Sequence, residues 1–211
     1  MELLEQFLNK EIGAAQTADK LQLFTQYEEN LLGWNEKINL VSRKTGSIEN
    51  HILNSIFFLK KYPLKGNEKI IDIGTGGGFP GIPLKILYPE IELTLLDSIQ
   101  KKTMVLNDIL ANMALKAEVL TGRAEDLSKN PNYKAQFDVV ISKAVSTLNN
   151  LYSWGHGFLN TQGKMICLKG GTLDSELSEL SLKNKVKTET IEYSLPSEYN
   201  IEDKKIVIIT Q

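Results

Sequence analysis

Asp72, Asp97, Glu125 and Lys143 are the side chains of this 211-residue sequence whose setting suggests chemistry. Each lies within or shortly after a short apolar run. The first lies within KIIDIGTGGGFPG, from Lys69 to Gly81, with Gly74, Gly76, Gly77, Gly78 and Gly81 falling within eight residues. A strand that turns through glycines into a helix lets a ligand approach bare backbone, with N–H groups facing it. So many glycines cost conformational entropy, and packing alone is a poor reason for them. The stretch reads as the seat of a nucleotide-like ligand.

Two ligand classes compete for it. Gly76, Gly78 and Gly81 fit G-x-G-x-x-G, and Asp97 could bind a ribose hydroxyl, as the dinucleotide fingerprint asks. A nicotinamide-dependent oxidoreductase is one alternative. Asp72 argues for S-adenosylmethionine: a carboxylate there would repel a pyrophosphate and attract the ammonium of a methionine moiety. A dehydrogenase also needs acid–base groups, and neither His51 nor His156 sits in a convincing catalytic context. In a methyltransferase geometry Asp97 accepts from the ribose hydroxyls, and Ala124 and Glu125 lie by the adenine. The milder readings are a helix cap at Asp97 and a solvated loop charge at Glu125.

The elements that must position these groups alternate. Strands are expected over 69–73, 91–96, 117–120, 137–142 and 164–168, with Lys143 just past the fourth. Helices are expected over about 80–88, over the Leu106, Ile109, Leu110 and Met113 stripe, over 147–158 and over 173–182. Runs 186–195 and 204–210 can pair as a terminal hairpin. The pattern predicts an α/β fold with a doubly wound, mostly parallel sheet, of the Rossmann-like class I methyltransferase type, with an antiparallel C-terminal strand. Residues 1–65 carry no strand signal. They are expected as a helical region packed on a cofactor-binding domain, 66–211, with helices over 1–12, from a cap at Thr17 or Asp19, and from about Ser47.

Lysine and arginine total 24 against 26 acidic residues, a net charge of −2. The whole molecule therefore attracts nucleic acid weakly, and a local basic patch must do so. No apolar run approaches a membrane span, the N-terminus is not a signal peptide, and the expected setting is a cytoplasmic monomer with no membrane and no metal site. Cys167, the sole cysteine, lies in an apolar run and reads as a buried strand position. Candidate RNA contacts are Arg43, Lys101, Lys102, Arg123, Lys204 and Lys205, with Lys44 and Lys169 beside them. Tyr27, Phe79 and Trp154 could stack on a base, although Tyr27 and Trp34 lie on a helix stripe and fit a core better.

Several motifs occur together and in order: GTGGGFPGIPL, LLDS before Lys101-Lys102, GRAED, and VISKA before a Ser-Thr-Leu run. NLVS at 39–42, HILNS at 51–55 and LKGG at 168–171 accompany them. Together they resemble the glucose-inhibited division protein B family, from about Trp34 onward. The resemblance implies an S-adenosylmethionine-dependent methyltransferase acting on guanine N7 in 16S ribosomal RNA, with that RNA or the small subunit as partner. It implies cofactor contacts at Gly74, Phe79, Ala124, Glu125 and Lys143, added to Gly76 and Asp97 read above. Lys143 stands where the family usually has arginine, so a positive charge survives there and a bidentate fork does not. A positioning role beside the acceptor base falls to Lys143. A ribosome-assembly factor with a retained pocket is the non-enzyme alternative.

Overall fold

Ile70, Ile71 and Ile73 are buried on both faces of the first strand, as a continuous β-branched run predicts for the middle of a parallel sheet. The computed structural model describes residues 1–42, 46–193, 195–199 and 201–211. Within them the elements are α1 (Glu2–Gln6), α2 (Thr17–Asn35), α3 (Glu49–Ile56), β1 (Lys69–Ile73), α4 (Gly81–Leu87), β2 (Glu92–Asp97), α5 (Gln100–Asn112), β3 (Glu118–Thr121) and α6 (Ala124–Leu127). There follow β4 (Phe137–Lys143), α7 (Leu148–Gly155), β5 (Leu159–Gly170), α8 (Asp174–Lys183), β6 (Lys187–Tyr193) and β7 (Lys204–Thr210).

Among the described residues one sheet runs in the order β3-β2-β1-β4-β5-β7-β6. The strands from β3 to β5 are parallel, and β7 runs antiparallel to both β5 and β6. The chain leaves β1 toward β2 on one side and later returns as β4 on the other. That reversal opens a crevice at the carboxyl ends of β1 and β4, where open α/β sheets hold ligands.

Alternate residues of each strand feed opposite faces. Ile70, Leu95, Ile141, Leu168 and Ile206 join one hydrophobic cluster with Leu4, Phe24, Tyr27, Leu31, Ile52 and Leu106. Ile71, Ile73, Val140, Cys167 and Val207 join the other with Leu148, Leu151 and Leu180. The N-terminal helices thus share a core with one face of the sheet.

Several boundaries differ from the sequence reading. The first helix passes into a π-helical turn, Phe7–Glu11, which keeps Phe7 and Leu8 both buried. Neither Thr17 nor Asp19 caps α2: Gln16 holds the cap position at φ 53°, and Thr17 Oγ1 donates to Ala14 O at 2.9 Å. The start of α3 is capped from α2 instead, where Glu28 Oε1 accepts from Ser47 Oγ at 2.6 Å and Ile48 N at 2.7 Å. β5 begins well before residue 164 because Leu159 already pairs with Phe137 across the sheet. Lys143 is the last residue of β4, paired in register with Leu168, rather than a loop residue beyond it.

Candidate active site

The loop after β1 is pinned from beneath. Gly74 N and Thr75 N donate to Leu96 O at 2.8 and 3.1 Å, and Tyr27 Oη donates to Gly77 O at 2.7 Å. Asp72 is fully buried, and its Oδ2 accepts from Thr75 Oγ1 at 2.7 Å and Gly81 N at 2.8 Å. A Cβ on Gly81 would collide with Leu95 Cδ2, so glycine there lets α4 start directly over Asp72. Burial pushes the Asp72 carboxyl up to about 7, against the hydrogen bonds and the nearby Lys143, which favour its charge. Asp72 is therefore a staple beneath the loop, walled off from the clefts, rather than the ammonium partner that the sequence suggested.

A cavity of about 260 Å³ opens above the carboxyl ends of β1, β2 and β3, lined by Gly74, Asp97, Ser98, Gly122, Arg123, Ala124, Glu125, Val145 and Trp154 among others. Gly74, at φ +71°, offers backbone with no side chain. Asp97 Oδ2 accepts from Gly76 N at 3.0 Å, and Oδ1 accepts from Ile99 N at 2.9 Å. A carboxylate oxygen accepts more than once, so Asp97 can still take two hydroxyl donors while these bonds hold it still. Its link to Ile99 N also gives the cap reading part of the truth. Gly76 does not line this cavity; it acts through Asp97. Trp154, expected as a base stacker, instead stands beside Ala124 and Glu125. These residues fit an adenosine-bearing ligand: a diol acceptor, an aromatic wall, an open glycine edge and an acid by the short α6.

A larger cavity of about 720 Å³ adjoins it, and Val145 lines both. Asn50, His51 and Asn54 reach it from α3, Lys143 to Thr147 from the end of β4, and Lys204 from β7. Burial lowers the Lys143 pKa, Asp72 opposes that shift, and Lys204 adds to it. Lys143 Nζ stands 5.3 Å from the centroid of the Phe79 ring, which lies 5.5 Å from His51 and 5.4 Å from Tyr27. Phe79 is buried and lines neither cavity; its ring lies against Lys143 and His51. His51 is lowered by burial and by Lys143, which keeps the ring neutral near pH 7. The sequence reading passed over His51. Its signal was a polar stripe, Asn50, His51 and Asn54, at helical spacing opposite Ile52 and Ile56.

The remaining basic residues divide. Arg123 is exposed at the rim of the smaller cavity. Lys101 and Lys102 begin α5, outside both cavity linings. Lys205 lies on the opposite face from Lys204 and pairs with Glu192 at 3.1 Å, which corrects the grouping of the two lysines. Lys169 is held by Glu176 at 2.9 Å and donates to Ser146 O at 2.9 Å, fastening the loop after β4. Arg43 and Lys44 lie outside the described residues. Cys167 is buried and its thiol is pushed up to about 12, a packing residue and no nucleophile.

The family model described as GidB, rRNA small subunit methyltransferase G, matches residues 20–204. The chain belongs to this family. Relatives named ribosomal RNA small subunit methyltransferase G include one from Clostridium novyi (strain NT), 40% identical over 75% of this chain and 66% of that protein. Another, from Alkaliphilus oremlandii (strain OhILAs), is 38% identical over 86% of this chain and 75% of that protein. The chain thus spans about two thirds to three quarters of the length of these GidB-family relatives. Among solved structures, an O-methyltransferase from Bacillus cereus in complex with SAH superposes with a TM-score of 0.62 at 15% identity, covering 99% of this chain and 97% of that one. A SAM-dependent methyltransferase from Aquifex aeolicus gives a TM-score of 0.54 at 13% identity over 74% and 90% of the two chains. These likenesses give this GidB-family chain the class I methyltransferase fold.

Proposed function

We propose that this chain methylates N7 of a guanine in small-subunit (16S) ribosomal RNA, taking S-adenosyl-L-methionine and releasing S-adenosyl-L-homocysteine. The observation that carries the reading is the junction at Val145. On one side lies a cleft with a diol acceptor, Asp97. On the other lies a cavity with a cation, Lys143, in a chain of the GidB family. When bound, the cofactor supplies a methyl group on a sulfonium, an electrophile that the N7 lone pair can displace with no proton to remove.

What the protein's own groups do is then mostly orientation. Asp97 and Gly74 hold the adenosine part, with Ala124, Glu125 and Trp154 around the base. Lys143 points a donor at the acceptor's O6. Burial lowers its pKa, while the nearby Asp72 favours the charged form. Lys204 and Arg123 offer charge to the RNA backbone. The helical residues 1–65 form the outer wall of the acceptor cavity through α3. All these groups come from one chain, which suits a monomer working in the cytoplasm.

The test is deletion of the gene followed by chemical cleavage of ribosomal RNA at 7-methylguanosine. One cleavage site should vanish, return with the wild-type gene, and stay absent with an Asp97→Ala version. An unchanged cleavage pattern overturns the reading. Purified protein that binds S-adenosylhomocysteine yet transfers no methyl group to the unmodified RNA would be a binding factor instead.

A further inference from the structure

We propose that Asn54 reads the acceptor base, its side-chain carbonyl accepting from the N1–H and N2–H₂ edge of guanine. This deepens the function proposed above and rests on the larger cavity being the acceptor site. Asn54 Nδ2 donates to Asn50 O at 2.7 Å, one turn earlier on α3. A carbonyl oxygen cannot take that place, so the bond fixes which end of the amide is which. Oδ1 is the end left over, and no described residue donates to it. Asn50 and His51 line the same cavity with no such constraint: among the described residues the Asn50 amide has no hydrogen bond, and a neutral imidazole can present either tautomer. Of the three, Asn54 alone has its polarity set before a ligand arrives.

Asn54 and Lys143 both line the cavity, the first with an Oδ1 that can accept and the second with a donor-only Nζ. Guanine presents O6 as an acceptor beside N1–H and N2–H₂ as donors. Adenine presents the reverse, an N6 amine beside a lone pair on N1. With O6 toward Lys143 and the donor edge toward Asn54, guanine N7 stays free on the far side of O6. Adenine would set its amine against an ammonium and its N1 lone pair against a carbonyl. Misplaced pairings of this kind discriminate strongly because the site's own polar groups are left without partners.

Steady-state methyl transfer to small-subunit RNA from a strain lacking the modification tests this with two variants of the full chain. Asn54→Ala removes the acceptor and should lower kcat/KM by about 10- to 100-fold with little change in Tm. Asn54→Asp keeps an acceptor but loses the donation to Asn50 O, and should stay within about threefold of wild type. A purely structural Asn54 would make the two variants fall together, because both lose the bond to Asn50; that result overturns the proposal. So does an Asn54→Ala variant with wild-type kcat/KM. Wild-type protein that transfers nothing strikes the parent reading, a failure distinct from a wild type that works beside variants that do not separate.

Discussion

The γ-methyl groups of Val145 stand where a side chain on Gly74 would begin. A Cβ at Gly74 would meet Val145 Cγ2 at 2.7 Å and Cγ1 at 2.8 Å. Because Val145 lines both cavities, this contact is the partition between them. The residue before it, Ala144, is held at φ 54°, a conformation that costs an alanine energy. Tension in the backbone therefore sits beside the wall that the two cavities share.

Gly74→Ala should strike both the backbone and the partition. With φ +71° and the Val145 methyls in the way, it should destabilise the protein by about 1–3 kcal/mol and raise the Kd for S-adenosylhomocysteine by about tenfold or more. Gly33→Ala is the control. It lies in α2 with nothing near its added Cβ, and should be neutral or stabilising by about 0.5–1 kcal/mol. Thermal melts and calorimetric titration read both. Equal behaviour of the two variants would show that the Gly74–Val145 contact is slack.

Asp97→Ala should weaken S-adenosylhomocysteine binding by about 100-fold, since hydrogen bonds to a charged acceptor contribute about 1.5–3 kcal/mol each. It also leaves Gly76 N and Ile99 N without their present acceptor. Asp97→Asn should fall between, keeping one oxygen. Calorimetric titration ranks the three; an Ala variant that binds as wild type would remove Asp97 from the cofactor site.

Asp72 gives a pH dependence with a definite sign. Its folded pKa of about 7 lies above the ordinary carboxyl value of about 3.9, so the folded state holds the proton more tightly than the unfolded chain. The associated stability is full below about pH 4 and is lost as pH rises through about 7. Asp72→Asn keeps an acceptor for Thr75 Oγ1 and Gly81 N and has no proton to lose. Urea unfolding at pH 5 and pH 8 should show a larger drop for wild type than for the variant. Equal drops would mean that Asp72 does not titrate in this range.

Lys204 and Lys205 are adjacent and should behave differently. Lys204→Ala should weaken RNA binding and reduce the slope of log K against log salt by about one contact's worth. Lys205→Ala removes a bridge to the exposed Glu192 and should leave RNA binding unchanged, with at most about 1 kcal/mol of stability lost. Filter binding across a salt series separates them.

Much of this site was legible because strand ends announce themselves. Gly74 and Asp97 follow or end buried apolar runs, Ala124 and Glu125 come just after β3, and parallel strands deliver such ends to one rim. The split between Lys204 and Lys205 was available from the period of two, as was the burial of Asp72, which shares a strand face with Ile70. Phe79 was harder. Its place beneath Lys143 depends on Tyr27 and His51, from helices far upstream whose docking no local pattern specifies. The early start of β5 was also out of reach, since Leu159 is extended only because Phe137 is beside it.

The antiparallel β7 has a bearing on synthesis. It lies between β5 and β6, so β6 leaves the ribosome before the strand to which it bonds exists. Until residues 204–210 emerge, β5 keeps a bare edge and the larger cavity lacks the wall that carries Lys204. A nascent chain can close the β1–β4 crevice early, but the β5 side of the larger cavity cannot assemble before β7 is inserted. The wall that carries Lys204 thus depends on a strand that must pair on both edges, with β5 on one side and β6 on the other.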